Sequence, residues 1–325
     1  MQTLVDYLQT GNNDSSLIEL VELLAATGNK ISRLVRQGAL ANILGAADSK
    51  NIQGEDQKRL DIIANQLIKE ALLDFSSVAA IASEEEDTIV PANHDGKFLV
   101  AFDPLDGSSN IDINGQIGTI FGVYPRIKNI PVDNEKQFLQ LGHQQIAAGY
   151  VLYGPSTQLV ISLGKTTDCF TLDESKSIFV LTSKQISIPE DTQEFSINMS
   201  NQRFWSNTMR DYIANLIMGV SGVRGKNFNM RWNGAMVGDV HRVMMRGGIF
   251  LYPSDNRNPK QPAKLRLLYE ANPMAMLVEN VGGKAWNESR RILSIQPTAL
   301  HERVAVILGS ANEVDVCVKE LILIS

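Results

Sequence analysis

A short apolar run that leads directly into a string of acidic and small polar residues most restricts how this chain can fold. The run Phe98–Phe102 is typical of a buried β-strand, and Asp-Pro-Leu-Asp-Gly-Ser-Ser-Asn-Ile-Asp follows it at positions 103–112. Because a proline comes next, the helical region is disfavoured for Asp103, which should therefore be extended at the strand end. The chain can then turn at Gly107, where a tight backbone is permitted, and direct Asp106 towards the same point.

This string predicts a site for a metal ion and a phosphate ester. The backbone amides of Gly107, Ser108 and Ser109 would face an anion, as the amides at a helix N-terminus do. Two carboxylates, Asp103 and Asp106, beside such a cradle are suited to Mg²⁺ bound together with a phosphate. A plain surface turn is the alternative, since Asp-Gly and Ser-Ser pairs are common in turns. The length and order of the string favour the site.

Four consecutive acidic residues, Glu84 to Asp87, follow the apolar segment Val78–Ala82. A run of like charge is usually a solvated loop. Consecutive side chains at the end of a strand point to different faces, however, so one carboxylate could bind a metal while its neighbour takes a proton. Beside the string at 103–112, we favour this second interpretation.

Two further regions carry charged residues whose roles the residues alone leave open. Glu55 and Asp61 lie at the start of a predicted amphipathic helix, where acids are expected as partners of the helix dipole. In segment 229–270, four basic side chains could neutralise a second phosphate: Arg231, Arg242, Lys264 and Arg266. Each of these four is, taken singly, better explained as a salt-bridge or surface residue.

Apolar spacing predicts two lobes with a boundary near residue 190. The first lobe, residues 1–190, should contain helices at 17–43 and 57–75, then strands at 98–102, 117–124, 146–152, 158–163 and 169–172. The second, residues 191–325, should alternate strands at 195–198, 248–252 and 304–308 with helices at 204–218, 235–245, 273–281 and 312–323. The pattern indicates an α/β protein of mixed α and β elements whose two lobes meet at a cleft.

Composition and charge exclude several classes of protein. With 325 residues, 44% of them apolar, the chain can bury a large core and is not a disordered protein. Its net charge of −6 argues against a nucleic-acid partner. Gly154–Thr157 divides the longest uncharged stretch, so we expect no membrane partner. Two cysteines and an N-terminus without a basic and apolar leader predict a soluble, cytoplasmic protein.

These strings together resemble class I fructose-1,6-bisphosphatases, from about Leu17 to the C-terminus. The resemblance rests on the string at 103–112, on Ser-Glu-Glu-Glu upstream, and on Lys-Leu-Arg-Leu-Leu-Tyr-Glu-Ala-Asn-Pro-Met at 264–274. It implies a two-lobed, layered α/β/α/β/α sandwich of the sugar phosphatase type. It also implies hydrolysis of the 1-phosphate of fructose 1,6-bisphosphate, two or three Mg²⁺ ions per subunit with Mn²⁺ as an alternative, and a homo-oligomer, commonly a tetramer.

The resemblance implies a role for each matching residue of this chain. The implied metal ligands are Glu84, Asp103, the Leu105 carbonyl, Asp106 and Glu270. Glu85 and Asp61 correspond to the pair that takes the proton of the attacking water, and Glu55 to an acid on a loop that closes over the metals. The implied cradle of the leaving phosphate is Gly107, Ser108 and Ser109. The implied contacts to the far phosphate are Asn198, Tyr252, Lys264 and Arg231, the last reaching in from a neighbouring subunit.

A few positions differ from the family pattern. Trp232 stands where a phosphate-binding tyrosine is usual, and Asn201 where another is common. The AMP-binding segment of animal enzymes is not recognisable around residues 14–18. The alternatives are a sedoheptulose-1,7-bisphosphatase or dual-specificity enzyme, an inositol-monophosphatase-like enzyme, and an inactive sugar-phosphate sensor. The Trp-Asp pair that inositol monophosphatases carry near their last metal ligand does not occur in this sequence.

Overall fold

The computed structural model describes residues 2–11, 13–41, 44–50 and 56–324, so Glu55 lies outside the described residues. The helices of this part of the chain are α1 Leu4–Gln9, α2 Ser15–Gln37, α3 Arg59–Leu73, α4 Asn207–Ile217, α5 Met236–Arg246, α6 Asn272–Asn280 and α7 Ala311–Ile324. A 3₁₀ helix at Ser108–Ile113 and a π-helical turn at Leu267–Ala271 are also important for the site.

The strands supply two large sheets and two small ones. In chain order they are β1 Ala46–Lys50, β2 Asp56–Lys58, β3 Val78–Ser83, β4 Val90–Pro91, β5 Phe98–Asp106, β6 Ile117–Pro125, β7 Ala147–Tyr153, β8 Thr157–Ser162, β9 Thr167–Asp173, β10 Ile178–Ser183, β11 Glu194–Ile197, β12 Asn229–Met230, β13 Ile249–Tyr252, β14 Leu265–Arg266, β15 Lys284–Trp286, β16 Arg303–Val304 and β17 Val306–Gly309. The first large sheet has the order β10-β9-β8-β7-β6-β5-β3-β4, and the second the order β12-β11-β13-β17-β15.

The helices and the two large sheets form five layers. Helices α1, α2 and α3 cover the outer face of the first sheet with one apolar core. Helices α5 and α6 lie between the two sheets, and α4 and α7 cover the outer face of the second. This arrangement confirms the layered α/β/α/β/α architecture, because each sheet buries both of its faces against helices.

Helix α2 shows how the sequence specifies its elements. Asp14 accepts a hydrogen bond from the Ser16 amide at 2.8 Å and so caps the first turn. Leu20, Val21 and Ile31 recur at helical spacing and are fully buried against the first sheet. The predicted helix is therefore confirmed, although it ends at Gln37 and a short 3₁₀ turn follows.

Strand β5 is longer than the sequence predicts. It does not end before Asp103 but continues to Asp106, with an irregularity between these two residues. Asp103 pairs with Ile120 and Asp106 with Gly118 on β6. The irregularity accommodates Pro104, which has no amide hydrogen for the ladder.

Among the described residues, none of the helices combines the length and the apolar character that crossing a bilayer requires.

Candidate active site

A cavity of about 520 Å³ is lined by residues from Asp61 to Glu270 and contains most of the predicted site residues. Its lining includes, from the prediction, Asp61, Glu84, Glu85, Asp103, Leu105, Asp106, Gly107, Ser108, Ser109, Asn198, Tyr252, Lys264 and Glu270. Arg231 is not part of this lining. The remaining lining residues include Trp232, Phe250 and Arg266.

Three buried carboxylates from distant parts of the chain form the deepest cluster of the cavity. Glu84, Asp103 and Glu270 are 7%, 5% and 3% exposed, and each offers an oxygen within 4.8 Å of the others. β3 and β5 are parallel neighbours in which Ser83 pairs with Phe102, so Glu84 and Asp103 come next on adjacent strands. Parallel pairing thus brings together two acids that the sequence places 19 residues apart.

A π-helical turn places Glu270, the third acid of the cluster. The turn Leu267–Ala271 leads into α6, which has Pro273 in its first turn. The Arg266 amide donates a hydrogen bond to Glu270 Oε2 at 2.6 Å and orients that carboxylate. Such single π turns occur frequently at functional sites because they displace one residue from the regular helical spacing.

Burial and mutual repulsion raise the pKa values of the cavity acids. Burial raises the pKa of Asp103 well above its usual range, and the carboxylates of Glu84, Asp106 and Glu270 raise it further. The pKa values of Asp106 and Glu270 are each raised to about 7, mainly by burial. Ionising all of these groups together is therefore costly in the absence of additional positive charge.

Arg266 supplies positive charge to this cluster. Its side chain is buried, at 4% exposure, and its Nη1 lies 2.7 Å from Glu84 Oε1. Four carboxylates thus face one buried guanidinium, which leaves a local excess of negative charge. Several buried carboxylate oxygens at short separation are the donor set that Mg²⁺ and similar divalent cations prefer. The residues present therefore fit a divalent metal ion.

Asp61 and Glu85 lie on the wall next to this acidic cluster. Asp61, in the first turn of α3, is buried, and its Oδ2 accepts a hydrogen bond from the Lys58 amide at 2.7 Å. Burial, together with the nearby Glu85 and Glu84, raises the pKa of Asp61 to about 7. Asp61 thus binds a backbone amide at the N-terminus of α3 and also lines the cavity. Both interpretations that the sequence left open for this residue therefore apply.

The run of four acids divides between the cavity and solvent. Glu84 and Glu85 line the cavity. Glu86 instead forms a salt bridge with Lys69 and accepts a hydrogen bond from Asn65 Nδ2, and Asp87 is exposed. The structure therefore places two of the four side chains inward, as the interpretation of the run required.

The turn after β5 has a backbone that only glycine adopts easily. Gly107 has a φ of 81°, and a Cβ atom there would lie 2.3 Å from the Cβ of Ala235. The 3₁₀ helix Ser108–Ile113 begins directly after it. The first amides of a helix have no acceptor within it, so this turn presents N–H groups at the cavity wall.

The opposite end of the cavity is aromatic and polar. Trp232 stacks on Phe250, with ring centroids 6.2 Å apart and an interplanar angle of 8°, and Tyr252 lies 6.3 Å from the same indole. Asn198 and Lys264 also line the cavity. The sequence singled out Trp232 only as a departure from a family pattern.

Two of the four basic candidates for a second phosphate are engaged elsewhere. Arg242 forms two hydrogen bonds of 2.8 Å with the carboxylate of Glu194. This salt bridge agrees with the interpretation that the sequence favoured for Arg242. Arg266 is buried and forms a salt bridge with Glu84, in agreement with the interpretation favoured for each basic residue taken singly. A signal was available, since an arginine inside the apolar run 265–269 requires a buried partner. Arg231 is exposed and donates to the Met230 carbonyl.

A five-layered α/β fold with a phosphate-type turn beside clustered acids defines the chain as a sugar phosphatase. Solved structures support this class. The chain is similar to the crystal structure of Leishmania major fructose-1,6-bisphosphatase in holo form, with a TM-score of 0.93, 37% sequence identity and 98% of both chains covered. It is also similar to the structure of the same enzyme in the T-state, with a TM-score of 0.86, 36% identity and the same coverage.

Sequence comparisons identify the family. The model of the fructose-1,6-bisphosphatase N-terminal domain matches residues 4–184, and that of the C-terminal domain matches residues 188–321. A class 1 fructose-1,6-bisphosphatase of Cellvibrio japonicus is 62% identical over 322 residues, which covers 99% of this chain and 100% of the relative. One of Saccharophagus degradans is 55% identical over 321 residues, with the same coverage. The chain belongs to the fructose-1,6-bisphosphatase family.

Proposed function

We propose that this protein hydrolyses the 1-phosphate ester of fructose 1,6-bisphosphate to fructose 6-phosphate and inorganic phosphate. The observation that carries the proposal is the buried triad of Glu84, Asp103 and Glu270 next to the turn at Gly107, in a chain that aligns over its whole length with relatives of that name. A divalent metal suits the triad, and a phosphate suits the turn.

The acids of the cavity would hold the metal ions. The proposed ligands are Glu84, Asp103, Asp106, Glu270 and the Leu105 carbonyl, for two or three Mg²⁺ ions with Mn²⁺ as an alternative. When bound, such ions polarise a phosphate ester and lower the pKa of water. Hydrogen bonds from the Leu105 amide to Asp103 (2.9 Å) and from the Val237 amide to Asp106 (2.6 Å) fix two of these carboxylates in advance.

The remaining chemistry is assigned to side chains and amides around these ligands. Glu85, with Asp61 beside it, would accept the proton of the attacking water. The amides of Gly107, Ser108 and Ser109 would bind the oxygens of the transferred phosphoryl group, where negative charge is spread in the transition state.

The far phosphate and the sugar would lie at the aromatic end of the cavity. Tyr252 lies beside the Trp232 indole, Lys264 and Asn198 also line the cavity, and a cationic lysine attracts a phosphate. Glu55 is proposed as an acid of a loop that covers the metals, although it lies outside the described residues. The proposal divides the chain into a metal-holding lobe, 1–190, and a sugar-phosphate lobe, 191–325, to which Glu270 also belongs.

We further propose a homotetramer in which Arg231 enters the cavity of a neighbouring subunit. Its side chain is exposed and outside the cavity of its own chain. Four apolar side chains nearby in the sequence are more than half exposed, a pattern typical of an interface: Ile217, Met218, Val220 and Val223.

One assay tests the proposed reaction. Phosphate release is measured with fructose 1,6-bisphosphate, sedoheptulose 1,7-bisphosphate and inositol 1-phosphate, each with Mg²⁺ and with EDTA. We expect Mg²⁺-dependent release that is fastest from fructose 1,6-bisphosphate. Faster release from either other substrate would replace the proposed substrate, and no release from any of them would contradict a phosphatase.

A further inference from the structure

A buried carboxylate outside the cavity holds the chain segment that forms the aromatic wall. Asp239, in the first turn of α5, is 1% exposed. Its Oδ1 accepts a hydrogen bond from the Asn233 amide at 2.9 Å, and its Oδ2 accepts one from the Gly234 amide at 3.2 Å. Asp239 therefore binds two successive amides of residues 231–235, which we call the wall segment.

The second sheet anchors the same segment. Ser196 on β11 donates its hydroxyl to Asp239 Oδ1 at 2.8 Å. The Arg231 amide, at the start of the wall segment, donates to the Phe195 carbonyl at 2.8 Å. The carboxylate of Asp239 thus receives three hydrogen bonds and joins the wall segment to a strand of the sugar-phosphate lobe.

The turn at Gly107 with the 3₁₀ helix Ser108–Ile113, which we call the phosphate turn, anchors the wall segment from the opposite side. Asn110, in the 3₁₀ helix after Gly107, donates its side-chain amide to the carbonyls of Gln116 (3.1 Å) and Asn233 (3.0 Å). Asn233 is therefore fixed at its amide by Asp239 and at its carbonyl by Asn110. The wall segment cannot shift without breaking contacts to one of the two lobes.

The wall segment carries one residue that lines this cavity and one that, in the proposed function, contacts the far phosphate in the cavity of a neighbouring subunit. Trp232 lines the cavity and is stacked on Phe250, and Arg231 directly precedes it. The backbone on both sides of Trp232 is bound by the contacts described above. Stacking alone permits an indole to slide, so these backbone contacts define where the indole lies.

We infer that Asp239 is a positioning residue that sets the affinity for the second phosphate of the substrate by fixing the wall segment. The inference rests on the proposed function. Within the described part of the chain, the side-chain hydrogen bonds of Asp239 go to Ser196, Asn233 and Gly234 and to none of the proposed metal ligands. The Val237 amide, in the same turn of α5, binds Asp106 through a bond of its own, whose donor and acceptor both remain when the Asp239 carboxylate is replaced. A carboxylate is required because both of its oxygens accept hydrogen bonds. An asparagine has an NH₂ group in place of one oxygen, and this group would face a backbone N–H from which it cannot accept a hydrogen bond.

The test compares substrates with and without the second phosphate. For D239N we expect KM for fructose 1,6-bisphosphate to rise about tenfold with kcat within about threefold of wild type, because uniform binding is lost. Hydrolysis of fructose 1-phosphate, which lacks the second phosphate, should keep its kcat/KM within about twofold. S196A retains the carboxylate and both backbone bonds, so its KM for the bisphosphate should rise only about threefold.

A matched control separates positioning from simple destabilisation. Asp168 on β9 is also buried, at 4% exposure, and accepts hydrogen bonds from the Tyr7 hydroxyl (2.8 Å) and the Gln185 amide (2.7 Å), away from the cavity. D168N should lower the thermal midpoint and leave KM for both substrates unchanged. An equal loss of kcat/KM on both substrates in D239N, or none, would overturn the inference.

The outcomes also distinguish this inference from the proposed function. A wild-type protein that hydrolyses neither sugar phosphate would overturn both. If the wild type is active and D239N loses kcat/KM equally on both substrates, only the inference is overturned. If D239N does not fold, S196A decides, because a KM for the bisphosphate equal to that of wild type contradicts a positioning role.

Discussion

Each acid of the metal cluster has one carboxylate oxygen already bound by the chain itself. The donors are the Leu105 amide for Asp103, the Val237 amide for Asp106, the Arg266 amide for Glu270 and the Arg266 guanidinium for Glu84. Such bonds orient a carboxylate before any ligand arrives, so little reorganisation accompanies metal binding. They also explain how four buried acids remain in a folded protein despite their raised pKa values.

Replacing Asp103 by asparagine keeps its shape and its bond from the Leu105 amide but removes the charge. We expect kcat to fall at least about a hundredfold, because one metal ligand loses its anionic oxygen. Steady-state phosphate release over a range of Mg²⁺ concentrations measures this. D87N is the control, since Asp87 is an exposed acid of the neighbouring run. Retention of more than about a tenth of kcat, under about 1.4 kcal/mol, would refute the ligand assignment.

Lys264 differs from these acids because it is a cavity-lining cation that the proposed function assigns to the far phosphate and not to the metal ions. K264A should raise KM for the bisphosphate about tenfold and leave kcat nearly unchanged, since the lost contact is equal in ground and transition states. K260A removes an exposed lysine of the same loop and should change neither constant. A lower kcat at unchanged KM would contradict a binding role.

At the scale of elements, the turn at Gly107 depends on contacts between lobes. Its φ of 81° is strained for any residue with a side chain, and its position leaves no room for a methyl group beside Ala235. The wall segment and the phosphate turn therefore fit against each other only with glycine at position 107.

G107A should lower kcat by more than about tenfold, because the displaced amides no longer meet the charge of the transition state. Gly164 offers a matched control. It has a φ of 97° on a hairpin turn between β8 and β9, and a Cβ there would meet nothing within 4 Å. G164A should cost about 1 kcal/mol of stability from backbone strain and leave kcat unchanged. Equal kcat values for the two variants would show that the turn tolerates displacement.

The elements that the sequence predicted share a clear local signal, and the missed ones lack it. Helices α2 and α3 carry long apolar stripes, and β6 and β7 are buried on both faces. Short or half-exposed elements were missed, among them α1 with six residues, β15 with three, and β10 with two buried residues. A propensity signal summed over so few residues does not exceed that of a loop.

In the site, too, local sequence indicates some residues, whereas other contacts form only when distant elements pack together. The strings around Asp103 and Glu84 drew attention to acids that line the cavity, because strand ends and turns are encoded locally. The Glu84 partner of Arg266 is 182 residues away and the Ser196 partner of Asp239 is 43 residues away, each on a different element. Sequence spacing alone does not predict such pairs, since they depend on how the layers stack.

At the scale of the whole molecule, the cavity acids link folding stability to pH and to metal. Without metal, burial raises the pKa values of Asp61, Asp106 and Glu270 to about 7, above the ordinary range near 4 of an unfolded chain. The folded state then binds more protons than the unfolded state between these values. The free energy of unfolding of the metal-free protein should therefore fall as the pH rises from about 4 to about 7.

Metal binding should reverse this loss, because a divalent ion requires the ionised carboxylates and competes with protons for them. We expect saturating Mg²⁺ to raise the thermal midpoint by several degrees at about pH 8 and by much less at about pH 5, relative to EDTA; a ligand at 100 times its Kd contributes about 2.7 kcal/mol. Differential scanning fluorimetry at the two pH values measures this. D103N should lose most of the Mg²⁺ response at about pH 8, whereas D87N should keep it. An equal Mg²⁺ shift at both pH values would mean that the ion binds outside the buried acids, since exposed carboxylates are ionised at either pH.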